Sequence, residues 1–337
     1  MKLSWLKVLS CVLVIVVMCS CTFPLISYAY GPTAPSNDYC YIRAVKSGKY
    51  ITVPNGTVSN GKEIKIYSAN ETASQRWHVY TYSDGYSIIR SAVNLNYYLS
   101  LKDSTSTNDA KLTIEYFASG SVIPSRAIFK FVSNAELGIT YIMNKSTKEE
   151  HSMNKVLEAY GGFTSDGTNI VNYDAHSGID VAYNQFWVIE STSRTTALWE
   201  HDFVDSGGHC DWNSSSKYTD MVTEAASAWN NRLNKTIFRK DSLTTLEDVK
   251  IVDSNQSLSS TQAIANTNST TKQVTFFTAA MDILPADVVR MHTVTHELGH
   301  CLGLFESGQL GNIMKQGGWA YRTSISLDDV ASYNLKW

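Results

Sequence analysis

The spacing of hydrophobic positions changes along the chain. An apolar run over 8–18, continuing to 26, follows Lys2 and Lys7 and ends at Ser27-Tyr28-Ala29. A basic start, an apolar centre and small residues before a cut are the features of a secretory signal peptide, so residues 1–29 are set apart from the fold. No later run reaches the roughly 20 apolar residues of a membrane span, so no membrane insertion is expected after signal cleavage. Over 39–190 the apolar runs are short, rich in tyrosine and β-branched residues, and broken by Gly, Asn and Ser. That pattern predicts an all-β unit. Ser191-Thr192-Ser193-Arg194-Thr195-Thr196 then reads as the start of a linker over 191–200.

Beyond the linker, over 201–337, the period lengthens. Tyr218, Met221, Val222, Ala225, Ala226, Trp229 and Leu233 predict an amphipathic helix over 217–234. Strands are expected at 249–252 and 273–277. Val288, Met291, Leu298 and Leu302 stripe a second helix that begins near Pro285. Asp328 and Asp329 suit the acidic first turn of a last helix from about Ser326.

The β unit repeats. Gly48-Lys49-Tyr50-Ile51-Thr52-Val53 opens one segment and Gln75-Arg76-Trp77 closes it. Asn96-Tyr97-Tyr98-Leu99-Ser100-Leu101 opens a second, with Ala127-Ile128-Phe129 near its end. Lys155-Val156-Leu157-Glu158-Ala159 opens a third, closed by Gln185-Phe186-Trp187. Three such units resemble a ricin-type β-trefoil lectin domain, whose repeats end in Gln-x-Trp. The resemblance implies a carbohydrate ligand, held by an acid near the repeat start and an aromatic further on. Thr52, Ser100 and Glu158 stand at the acid position, so only the third repeat keeps a carboxylate. Its expected site is Glu158, Tyr173 and Gln185, with Tyr67 and Tyr116 as the matching aromatics of weaker sites.

The chemistry concentrates in His296-Glu297-Leu298-Gly299-His300-Cys301-Leu302-Gly303-Leu304-Phe305-Glu306. His296 and His300 are four apart, so a helix puts both imidazoles on one face, where they can bind one Zn²⁺. Glu297 beside them suits a general base. Gly303 suits the left-handed turn that ends a helix and brings the chain back toward the histidines. The stretch, with Asn312-Ile313-Met314 after it, resembles the matrixin-like metzincin zinc metallopeptidases, with Glu306 where that family has His or Asp. The resemblance implies His296, His300 and Glu306 as zinc ligands, Glu297 as the base and Met314 as the methionine-turn residue. Asp328 and Asp329 remain the alternatives for the third ligand. His292 extends the series, but 292, 296 and 300 span about 12 Å of helix rise, too far for three bonds to one ion.

Composition and charge add limits. At 43% hydrophobic and 18% charged residues, with a net charge of −3, the chain reads as globular. Without a basic run, nucleic acid is not an expected partner. Of six cysteines, Cys11, Cys19 and Cys21 fall in the signal, leaving Cys40, Cys210 and Cys301 and at most one disulfide. Cys210–Cys301 is the preferred pair. Cys210 capping the zinc is the alternative. The expectation is therefore a multidomain fold: an all-β trefoil followed by an α+β metzincin-like domain. The expected function is a secreted, monomeric zinc endopeptidase that cleaves a protein or glycoprotein substrate and is targeted by a lectin-like module. The alternative is a carbohydrate-binding adhesin with an inactive or structural peptidase-like half.

Overall fold

Three fully buried aromatic side chains, Trp77, Phe129 and Trp187, share the core of the N-terminal half. Each stands at the close of one sequence repeat. The indole Nε1–H of Trp77 donates to Ile51 O at 3.0 Å and that of Trp187 to Leu157 O at 2.9 Å. In these two repeats the end is thereby tied to the beginning. Phe129 fills the same place in the middle repeat, with no polar atom to satisfy.

This is a computed structural model. It describes residues 39–103, 107–134, 139–147, 154–176, 182–243, 246–256, 264–284, 286–308, 311–315 and 324–337. The expected signal peptide and Pro285 lie outside the described residues. All described residues belong to one compact unit, Pro32–Trp337. None of their helices is long and apolar enough to cross a membrane.

The first half is an all-β trefoil, and its threefold character is written in the strand register. Lys62 pairs with Ile114, Ala110 with Asn172, and Thr168 with Ile66. The three pairs form a closed cycle, so 62, 110 and 168 are equivalent, as are 66, 114 and 172. The residue before each strand start, Gly61, Asp109 and Gly167, takes the same left-handed turn, with φ of 75°, 70° and 84°. The register also makes Tyr67, Glu115 and Tyr173 equivalent. The middle repeat therefore presents Glu115 where the sequence suggested Tyr116, because its strand is offset by one residue and a one-residue offset swaps faces.

The second half is built on a five-stranded sheet. Its order is Phe238–Lys240, Cys210–Ser214, Val249–Ser254, Gln273–Phe277, Ala265–Asn268, with the first four parallel and the last antiparallel at the edge. Helices α1 (Thr219–Leu233), α2 (Thr278–Met281), α3 (Asp287–Cys301) and α4 (Leu327–Lys336) accompany it. The expected helices and both expected strands are present, with bounds shifted by a few residues. Three strands had no sequence signal: 210–214 and 265–268 are mostly polar, and 238–240 is only three residues long. α1 packs on α3, and Trp229 Nε1–H of α1 donates to Thr295 O of α3 at 2.9 Å. Part of the expected linker is fixed. Trp199 N–H donates to Gly303 O, Phe305 N–H donates to Ala197 O, and Leu198 bridges Leu304.

The two halves touch closely enough to require glycine. Gly311 has φ +99°, and a Cβ there would lie 2.3 Å from Cγ1 of Val188 in the trefoil. Gly311→Ala should lower the unfolding free energy by about 1–3 kcal/mol, through strain and overpacking at the junction. Gly308→Ala, where an added carbon meets nothing within 4 Å, should stay within about 0.5 kcal/mol of wild type. Denaturant unfolding of the two variants checks this, and equal effects would show that the junction does not discriminate between them.

Candidate functional site

α3 carries His296 and His300 one turn apart, and their rings meet edge to face with centroids 4.8 Å apart. Each ring is oriented through its Nδ1. His296 Nδ1 lies 2.9 Å from Ile313 O, and His300 Nδ1 lies 2.9 Å from Leu304 O. A carbonyl only accepts, so each Nδ1 carries the proton and donates it. That leaves both Nε2 atoms available as ligands.

The chain reverses at Gly303, where φ is +78°, and brings Glu306 back. Glu306 Oε1 stands 3.4 Å from His296 Nε2 and 3.5 Å from His300 Nε2. Zinc bonds of about 2.0–2.1 Å in tetrahedral geometry put ligand atoms about 3.3 Å apart. Both distances to Glu306 are close to that, and the three ligand atoms lie within 4.8 Å of one another. Glu306 Oε2 is buried with no hydrogen-bond partner, a cost that a bound cation would remove. The residues present therefore fit zinc.

The charges agree. Burial opposes a charged imidazole at His296, yet the Glu306 carboxylate, with Glu297 nearby, raises its pKa to about 9. Burial likewise opposes the Glu306 carboxylate, but the His296 and His300 imidazoles facing it bring its pKa down to about 2. The pocket thus favours positive charge at its centre. Glu297, 6% exposed, accepts a hydrogen bond on Oε2 from Thr267 Oγ1 at 2.5 Å. Thr267 lies on the edge strand Ala265–Asn268. Nothing in its local sequence marked it.

Met314 sits beneath the helix: a Cβ on Gly299 would lie 2.2 Å from Met314 Sδ. Asp329 grips the same turn from α4. Its Oδ2 accepts from Ile313 N–H at 2.8 Å and its Oδ1 from Met314 N–H at 3.3 Å, while Ser326 and Asp329 form a capping box. Both oxygens are thus engaged away from the histidines. His292 is buried, with its ring centroid 6.1 Å from that of His296, and is not among the converging ligands. Asp205, Asp211 and Asp248 also converge, but Arg239 takes both oxygens of Asp211 at 2.7 Å. Cys210 and Cys301 are buried free thiols side by side in the core. Burial, with Cys210 as neighbour, pushes the Cys301 thiol well up.

The third trefoil repeat gathers a second group. Glu158, 4% exposed, accepts on Oε2 from Gln185 Nε2 at 2.9 Å, and His176 Nε2 is 3.5 Å from the same oxygen. The Tyr173 and His176 rings lie 5.6 Å apart. Gln185 is fully buried, and it also donates to Asp174 O and accepts from His176 N–H. It therefore orients the acid and its loop and cannot face a ligand, as the sequence had suggested it would. Gln75 does the same in the first repeat, bonding Thr52 Oγ1 at 3.0 Å. His176 had no signal in the sequence.

A family model described as ricin-type beta-trefoil lectin domain-like matches residues 30–115. Among solved structures, the chain is similar to a ricin B-like lectin of Macrolepiota procera in complex with lactose, at 20% identity and a TM-score of 0.36. That match covers 46% of this chain and 96% of that one. It is also similar to the Rhizoctonia solani agglutinin, at 14% identity and a TM-score of 0.38, covering 48% and 99%. An exo-beta-1,3-galactanase from Clostridium thermocellum matches at 23% identity and a TM-score of 0.40, covering 47% and 31%. No curated protein matches the chain.

Zinc titration against a competing chelator should find about one tight site per chain, weakened by roughly 10-fold or more in Glu306→Ala and partly kept in Glu306→His. Wild-type affinity in Glu306→Ala would remove Glu306 from the ligand set.

Proposed function

We propose that the chain is a secreted carbohydrate-binding protein whose C-terminal half is a metzincin-like zinc endopeptidase. The two parts rest on different support. The family model speaks for the sugar-binding part, and of the two readings raised by the sequence the comparisons favour the binding protein. The hydrolytic part rests on one observation. Two imidazole Nε2 atoms and a carboxylate oxygen converge within 4.8 Å of one another, beside a second, separately held carboxylate.

Zinc bound by His296, His300 and Glu306 would supply a Lewis acid that polarises a carbonyl and acidifies water. The chain's own residues do the rest. Glu297 takes the proton from water as it attacks the scissile carbonyl, then gives it to the leaving amine. Thr267 fixes the direction of that carboxylate by donating to Oε2. The main-chain carbonyls of Ile313 and Leu304 hold both imidazoles in the tautomer that leaves Nε2 free.

The other reading, an adhesin with a structural metal site, has the trefoil match in its favour. A structural zinc site is usually closed by four ligands. Among the described residues three converge, beside a carboxylate of the kind a hydrolase uses, and that favours catalysis. On the trefoil, Tyr173 would stack on the apolar face of a sugar ring, and Glu158 would accept a hydroxyl hydrogen bond.

Zymography on casein and on a glycoprotein decides between the readings. Glu297→Gln should keep zinc and fold but lose hydrolysis by about 10²-fold or more. Wild-type turnover in that variant would refute the mechanism, and no turnover by zinc-loaded wild type would leave the adhesin.

Binding to a glycan array should be lost in Glu158→Ala and in Tyr173→Ala. An unchanged array profile in both would remove the third repeat as a sugar site.

A further inference from the structure

The strand Tyr39–Ala44 buries alternate residues in the trefoil core, with Cys40, Ile42 and Ala44 facing inward. The alternate positions should face solvent. Instead Tyr41 packs with Tyr50 of the trefoil against Leu327 of α4, and Arg43 is 0% exposed. An arginine is almost never buried unless its donors are engaged, and those of Arg43 reach both halves. Nε donates to Glu190 Oε1 at 2.5 Å, and Tyr50 OH donates to Glu190 Oε2 at 2.9 Å. Nη2 donates to Gly311 O at 2.7 Å, and Nη1 donates to Ser324 O at 3.2 Å and to Ser324 Oγ. Gly311 stands two residues before Ile313, whose carbonyl holds His296, and Ser324 stands two before the Ser326 cap of α4.

We propose that Arg43 is a positioning residue for the metal centre, so that the trefoil forms part of the support of the zinc site as well as any tether it provides. The inference rests on the zinc reading above. Arg43 and Asp329 hold the turn from two sides: Arg43 takes a carbonyl at Gly311, and Asp329 takes the N–H groups of Ile313 and Met314. With both in place, Ile313 O stays aimed at His296 Nδ1. Without Arg43 the Gly311 carbonyl loses its partner, and the turn has one anchor where it had two. Nη1 and Nη2, aimed at two segments 281 and 268 residues away in sequence, fit a clamp.

The test uses the full chain. Arg43→Met alone would strand the Glu190 charge, so Arg43→Met is combined with Glu190→Gln, which removes both charges together. Arg43→Lys is the conservative variant. Two readouts are taken in folded protein: amide hydrogen exchange of the segment 305–315 without metal, and zinc affinity with the visible spectrum of the cobalt-substituted protein. In the double variant, exchange of 305–315 should rise at least about 10-fold while the core strand Val249–Ser254 stays protected. Zinc affinity should fall about 10-fold or more, and the cobalt spectrum should change. Arg43→Lys should recover part of each. Unchanged exchange in 305–315, or unchanged affinity and cobalt spectrum, in a folded double variant would overturn the proposal. A wild type that binds no zinc or cobalt would defeat the zinc reading, and the exchange result would still decide whether Arg43 holds the turn.

Discussion

Two main-chain carbonyls, Ile313 O and Leu304 O, determine what the C-terminal half can do. Each accepts the Nδ1 proton of a histidine one turn from the other. If either carbonyl moved, the ring could rotate or change tautomer, and its Nε2 would no longer face Glu306. Leu304 O is placed by the left-handed turn at Gly303 and by its bridge to Leu198. Ile313 O is placed by Asp329 from α4 and by the segment that begins at Gly311.

The same constraint explains features that would otherwise look unrelated. Gly299 has no side chain because Met314 Sδ occupies the space where one would be. Ser326 and Asp329 cap the start of α4, and the same carboxylate holds the turn at Ile313 and Met314. The trefoil contributes Val188 against Gly311 and Arg43 against its carbonyl. Among the described residues the two halves share no sheet, yet they are joined where His296 is oriented.

Local spacing carried much of this in the sequence. The i, i+4 histidines could be read from helix geometry, while Glu306, beyond the helix, was reached through the glycine turn and the family resemblance. The three repeats were legible because burial and turn residues recur with them, and the buried Trp77 and Trp187 stand where the motif put them. The register of the middle repeat was not, since equivalence there depends on which residues pair across strands: Ala110 pairs with Asn172, and Glu115 takes the place expected of Tyr116. Arg43, Thr267 and His176 left no signal, because each acts on a residue distant in the chain and sits in an otherwise ordinary run. Gln185 was read as a ligand contact because its motif marks the site. The structure puts it inside, where its amide orients Glu158. The linker was read from its polar composition, which could not reveal that Trp199 N–H would be fixed by Gly303 O.

The central claim is a metal site made of two imidazoles and one carboxylate. X-ray absorption at the zinc edge of the zinc-loaded full-length protein tests it most directly. The account expects two imidazole nitrogens and carboxylate or water oxygens, all at about 2.0–2.2 Å, with no sulfur neighbour. A sulfur shell at about 2.3 Å, or fewer than two imidazoles, would contradict it.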